Sequence, residues 1–155
     1  MDLPLELRLR LFYDAYAAKL DRGELEIWPD FFTDDAYYSV TSRENFDRGL
    51  EHATIYCSGK AMLLDRVAAI RQSTVFAPRR MRHFVGGVHV KSAEASIHAE
   101  ASFAVFESVS DSDPRVYMVG TYVDEVTQTP SGFLLRRREC VLDNARIYNS
   151  LIYPV

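Results

Sequence analysis

Apolar side chains recur at helical spacing through the first stretch of the chain, at Leu5, Leu9, Phe12, Tyr13, Tyr16, Ala17 and Leu20, while Glu6, Arg8, Arg10, Asp14 and Lys19 fall mostly on the opposite side. This spacing predicts an amphipathic helix over residues 5–20. Asp21, Arg22 and Gly23 end it, glycine being a natural C-terminal stop. A short second helix is expected over residues 24–27, because Pro29 biases Trp28 away from helical angles. Thr33, Asp34 and Asp35 read as a polar turn before a β-branched and aromatic strand over residues 36–41. Trp28, Phe31 and Phe32 sit at this hinge and are expected to be buried between helix and sheet. Residues 43–60 are polar and irregular and read as one long loop. Met62, Leu63, Val67 and Ile70, with Asp65, Arg66 and Arg71 as a wet side, predict a further helix over residues 61–72.

From Arg80 the period changes to two. Phe84, Gly86, Val88 and Val90 alternate with Val85, Gly87, His89 and Lys91, and residues 97–108, 116–128 and 133–142 each read as strands. The segments 110–114 and 129–132 carry turn residues between them, which predicts an antiparallel meander. Gly86-Gly87, inside a strand pattern, marks a bulge or a close backbone approach. Helices first and strands afterwards give an α+β fold: a curved antiparallel sheet with N-terminal helices packed in its concavity, closing a cone.

A length of 155 residues with 48% hydrophobic content supports one domain, 1–155, with a core of its own. A net charge of −4, with arginines scattered among acids, excludes the basic footprint of a nucleic-acid binder. No apolar run reaches membrane-spanning length and the first residues carry no secretory pattern, so a cytoplasmic location is expected. Two cysteines, Cys57 and Cys140, make no framework and read as reduced thiols.

The four histidines, His52, His83, His89 and His98, form no recognisable ligand motif, and there is no phosphate loop or nucleophile elbow. His83 and His89 share a strand and a face only if no bulge intervenes. One catalytic constellation is open to the sequence. Tyr13, Tyr16, Asp30, Asp35, Tyr37, Tyr56, His83 and His89 could gather in the cone for proton transfer in a free-standing isomerase, dehydratase or cyclase. The plainer alternative is that these aromatics fill the cone. Arg79, Arg80 and Arg82 with His83 form the densest basic cluster, suited to an anionic substrate or a partner's carboxylates, or to a solvated strand entrance. Arg136, Arg137 and Arg138 lie in a strand, so at least one turns inward and needs a counter-charge. These arginines, with Tyr148 and Tyr153 in the tail 147–155, are candidates for a subunit interface, where Tyr and Arg are favoured.

Four blocks in order, WPDFFTDDAYYSVTSREN over 28–45, DRVAAIR over 65–71, RMRHFVGGVHV over 80–90 and LLRRRECVLDNARIYNSLIYPV over 134–155, follow the N-terminal helix. Together they resemble the small (beta) subunits of Rieske-type aromatic-ring-hydroxylating dioxygenases over nearly the whole chain. The first block with Asp47, Gly49 and Leu50 is most similar to small subunits of oxygenases acting on aromatic carboxylates, such as terephthalate dioxygenase. Where many of these relatives have Asn after the RHF element, this chain has Gly86-Gly87. The resemblance implies a cone of the NTF2/ketosteroid-isomerase type and no catalytic residue or cofactor site on this chain. It also implies a large alpha subunit that carries the [2Fe-2S] Rieske cluster and a mononuclear Fe(II), joined in an alpha3beta3 hexamer whose beta chains are mainly structural.

Overall fold

The first apolar stripe folds as α1 (Leu5–Asp21), and it buries Leu9, Tyr13, Tyr16, Ala17 and Leu20 in the computed structural model, which describes residues 3–72, 78–144, 146–147 and 151–155. Arg22 caps its end and Gly23 follows at φ +72°, the left-handed turn that favours glycine. Residues 24–27 form turns rather than the expected helix, and the helical turn falls later, as a single 3-10 turn over Trp28–Phe31. Pro29 stands in that first turn, where its missing N–H is not needed.

Strand β1 (Phe32–Ser42) begins four residues before the predicted strand and takes in the expected polar turn. Phe32 pairs with Leu135 and Tyr37 with Arg137, so five residues span what two cover opposite, and Thr33 to Asp35 form an irregularity inside the strand. The long loop also contains structure. Ser42 accepts the Asn45 N–H at 3.2 Å and so caps α2 (Arg43–Asp47), and β2 (Ile55–Ser58) pairs antiparallel with β1. The stretch between them is tied down because Thr41 and Asn45 side chains both donate to the His52 carbonyl, at 3.0 and 3.2 Å. Helix α3 (Lys60–Gln72) turns Leu63, Val67 and Ile70 toward β1 and β2.

The meander is present as β3 (Arg79–Ala93), β4 (Ile97–Val109), β5 (Arg115–Thr129) and β6 (Gly132–Leu142), all antiparallel in sequence order. The six-stranded sheet has the order β2-β1-β6-β5-β4-β3. Its one parallel pair, β1 with β6, makes the sheet mixed where the sequence pattern suggested an antiparallel one. The α+β cone itself stands. Gly86-Gly87 is a bulge: Gly87 has φ +59° and the β3–β4 register shifts between Gly86 and His89. That shift separates the two histidines, leaving His83 buried and His89 exposed. No helix among the described residues is long and apolar enough to cross a membrane.

Trp28 and Phe32 are fully buried and Phe31 half-buried, as their hinge position requires. Trp28 packs edge-on against Phe32 and Tyr38, and its Nε1–H donates to Tyr16 Oη at 2.9 Å. Replacing Trp28 by Phe keeps most of the ring contact but removes the donor and leaves a small void. A loss of about 2 kcal/mol is expected in urea unfolding; an unchanged midpoint would show that this hydrogen bond contributes nothing.

Candidate functional site

The concavity between α1 and the sheet is occupied by the chain's own side chains. Tyr13, Tyr16, Trp28, Phe32, Tyr38 and Tyr122 are each at most 1% exposed. Among them lies a bidentate ion pair, Arg138 to Asp124 at 3.0 and 2.7 Å, with both side chains inaccessible to solvent. The Arg138 guanidinium is 3.9 Å from the centre of the Tyr122 ring, 4.3 Å from Tyr16 and 5.0 Å from Tyr13. Burial holds the Tyr13, Tyr16, Tyr38 and Tyr122 hydroxyls well above the usual phenol range, and it pushes the Cys140 thiol up to about 12. None of these groups ionises near neutrality, which suits a filled interior and not proton transfer.

The tail closes this interior. Tyr16 Oη donates to the Val155 carbonyl at 2.8 Å, and the Val155 N–H donates to Tyr38 Oη at 2.9 Å. Arg66 donates to the Ile152 carbonyl at 2.8 Å, and Ile152, Pro154 and Val155 are buried.

The eight residues proposed for a proton-transfer pocket are therefore not brought together. Tyr13 and Tyr16 are in the core, Asp30 and Asp35 are exposed, Tyr37 lies on the outer face of β1, and Tyr56 is 58% exposed. His83 pairs instead with Asp21, a residue read from the sequence only as the end of α1. Asp21 Oδ1 is 2.7 Å from His83 Nδ1, and the Asp21 carboxylate also accepts the His83 backbone N–H at 3.0 and 3.2 Å. A carboxylate in the last turn of a helix faces the negative end of the helix dipole, and that misfit was the signal that Asp21 has a partner.

The three arginines of β6 take two different fates. Arg138 is the inward one and meets its counter-charge inside the same chain, which removes it from the interface candidates as a surface residue. Arg136 is half-exposed and bridges Glu125 at 3.0 Å and Asp35 at 3.5 Å. Arg137 stacks 4.3 Å over the Tyr37 ring and grips Glu139 through two bonds of 3.1 Å. Tyr37, Arg137 and Glu139, with Tyr56 on the neighbouring strand, lie along a groove of about 800 Å³ on the outer sheet face that Leu50 and His52 also line. Tyr153 is half-buried, and Tyr148 lies outside the described residues.

Sequence reasoning passed over a second outer surface. Phe84 sits opposite Ala104, Ala104 opposite Val119, and Phe106 opposite Val116, so an apolar strip crosses β3, β4 and β5. Phe84 is 60% exposed, Val116 49% and Val119 40%, with the Phe84 and Phe106 rings 5.5 Å apart. Its signal was available as strands apolar on both faces where alternation should have put polar residues outside. Among the described residues, no group of three or more His, Cys, Asp or Glu could hold a metal ion.

A family model described as ring hydroxylating beta subunit matches residues 15–149. The chain is 29% identical over 155 residues to the anthranilate 1,2-dioxygenase small subunit of Burkholderia cepacia, covering 99% of this chain and 96% of the relative. It is 31% identical over 140 residues to subunit beta 2 of the terminal oxygenase component of terephthalate 1,2-dioxygenase from Comamonas sp, covering 90% and 91%. Among solved structures, the beta subunit of a protein designated an aromatic-ring-hydroxylating dioxygenase from Novosphingobium aromaticivorans superposes with a TM-score of 0.88 at 37% identity, covering 97% of this chain and 96% of that one.

Proposed function

The chain belongs to the ring-hydroxylating beta-subunit family, and on that premise we propose that its work is structural: it joins a large alpha subunit that bears the [2Fe-2S] Rieske cluster and the mononuclear Fe(II), in a cytoplasmic alpha3beta3 assembly. The observation that carries this reading is the filled concavity, where Arg138, Asp124 and four tyrosines occupy the space in which a free-standing enzyme of this shape would need to admit a substrate. Surface chemistry supports it from the other side. An exposed apolar strip and an Arg137–Tyr37 groove on the outer sheet face suit burial against another subunit better than exposure to water.

Within that assembly, Arg136, Arg137 and Tyr153 are the described residues we assign to contacts between subunits, and Tyr148, which lies outside the described residues, is assigned with them. The substrate class proposed is an aromatic carboxylate, by likeness to the anthranilate and terephthalate oxygenase subunits. The alpha subunit does the dihydroxylation. The test is co-expression with the large subunit, with light scattering and oxygenase turnover read on the purified complex. Arg137→Glu reverses an outer-face charge without touching the core, so the isolated chain should stay folded, melting lower by no more than about 5 °C for the lost Glu139 and Tyr37 contacts, while recovered complex falls at least about fivefold. Normal yield of an active hexamer from that variant would remove Arg137 from the interface. A lone chain that turned over an aromatic substrate would overturn the structural role.

A further inference from the structure

The outer face of the sheet carries a different surface at each end. On β5, β4 and β3, the rows Phe84–Ala104–Val119 and Phe106–Val116 make up the exposed apolar strip, from which the Phe84 ring stands out most. On β2, β1 and β6 lies the groove of about 800 Å³, with Leu50 and Tyr56 as exposed apolar groups along it. The sheet order β2-β1-β6-β5-β4-β3 puts groove and strip at opposite ends of one face.

Most charges near these surfaces are matched within the chain, and what is left over differs in sign between the two ends. By the groove, Arg43 bridges Asp143 at 3.1 Å, Arg48 bridges Glu44 at 3.2 Å and Arg137 bridges Glu139 at 3.1 Å. Two acids remain there: Asp47 reaches Arg43 only at 4.0 Å, and the exposed Glu51 makes no ion pair among the described residues. By the strip, the buried carboxylates of Glu107 and Asp21 are engaged with Arg79 and Arg115 and with His83. Two arginines remain on the free edge of β3: Arg82 reaches Asp21 only at 3.9 Å, and Arg80 makes no ion pair among the described residues. Asp111 and Asp113 stand on the β4–β5 turn, past the last row of the strip, and leave its β3 side basic.

We propose that the strip of one copy of this chain docks in the groove of the next, head to tail, with Phe84 as the anchor against Leu50 and Tyr56 and with Arg82 turned toward Glu51, so that the copies close a ring. An aromatic anchor in a groove with an arginine at its rim is the chemistry of a buried subunit contact. The ring follows from curvature. The sheet wraps the helices on its inner side, so its outer face is convex and its two ends look in different directions. One partner cannot cover both ends, and a contact between unlike surfaces repeats from copy to copy until the rotation closes. The number of copies, three, rests on the alpha3beta3 reading, which this contact deepens by naming the beta surfaces that meet.

Light scattering of the full-length chain alone, from about 10 to 200 µM, reads such a contact, and a trimer mass is expected at the upper end. Phe84→Gln spoils only the strip, and the double variant Leu50→Gln with Glu51→Arg spoils only the groove; all three side chains are exposed. Each variant should associate at least about tenfold more weakly, with a melting curve showing that it is folded. The decisive sample is their equimolar mixture. Each variant keeps one intact surface, so the mixture should give dimers and nothing larger. No dimer in the mixture, an unaltered chain that stays monomeric or stops at a dimer, or a folded Phe84→Gln chain that associates like the unaltered one would each overturn the head-to-tail contact. The structural role is judged separately, by co-expression with the large subunit. A monomeric chain that still joins the large subunit defeats this contact alone, and a ring that does not join it defeats that role alone.

Discussion

Arg138→Ala is expected to lose about 3–5 kcal/mol of stability, because it strands Asp124 as an uncompensated charge in a dry interior. The pair is held by two hydrogen bonds of 3.0 and 2.7 Å, and neither side chain touches solvent. The variant also removes a cation from beneath the Tyr122 ring at 3.9 Å, a desolvated contact worth about 2 kcal/mol by itself. These contributions overlap and do not add. The informative companion is the double variant Arg138→Met with Asp124→Leu, which replaces the pair by apolar groups of similar bulk. It should recover most of the loss, since buried pairs often break even against hydrophobic substitutes. Urea unfolding of the isolated chain reads both. If Arg138→Ala costs less than about 1 kcal/mol, water reaches Asp124 and the concavity is less filled than described.

The same arginine shows where the sequence ran short of the structure. Strict alternation would put Arg136 and Arg138 on one face and Arg137 on the other. The β5–β6 register shifts between Glu125 and Val126, opposite the step from Arg137 to Leu135, and the effect is local. Leu135 and Arg138 point inward, and Arg136 and Arg137 both point outward. A bulge leaves no mark in composition, so the need for one inward arginine was legible while its identity was not. The α1 stripe and the β4 to β6 meander were legible because each rests on periodicity that repeats over ten residues or more. Strand β2, four residues long, and α2, five, are too short to show a period. The parallel pairing of Tyr38 with Arg138 joins positions a hundred residues apart and has no local signature. Asp21 was visible as an acid at a helix end, but only the fold shows that it holds His83.

Chemistry followed the same division. Counting residue types located the basic cluster at the start of β3 and found no metal motif, and both readings depend on composition alone. Whether Tyr13 and Tyr16 line an open pocket or fill a closed one depends on the volume left after packing, and no spacing rule gives that volume. Arg138 and Val155 decide it, from positions more than a hundred residues away from the tyrosines that they cover.

Removing residues 152–155 is expected to unfold the chain rather than merely weaken its assembly. The sequence marks the tail as an interface segment, and in the structure its last residues also seal the end of the cone. Ile152 and Val155 are 8% and 1% exposed, and burying each such side chain contributes about 1.5–3 kcal/mol. Deletion also takes the acceptor from Tyr16 Oη and the donor from Tyr38 Oη, two buried hydroxyls, at about 1–3 kcal/mol each. The combined loss, on the order of 5 kcal/mol or more, rivals the whole stability of an ordinary domain. Circular dichroism of the truncated chain should therefore show a melting transition lowered by at least about 15 °C, or none at all. A tail used only for subunit contacts would leave that melt unchanged and lower the mass of the complex instead. The finer variant Val155→Gly keeps both backbone hydrogen bonds and removes only the side chain, so it should cost about 2 kcal/mol and leave a folded chain. Should the truncated chain melt within a few degrees of the intact one, the Tyr16–Val155–Tyr38 closure is not what holds the cone shut, and subunit contact is left as the tail's one role.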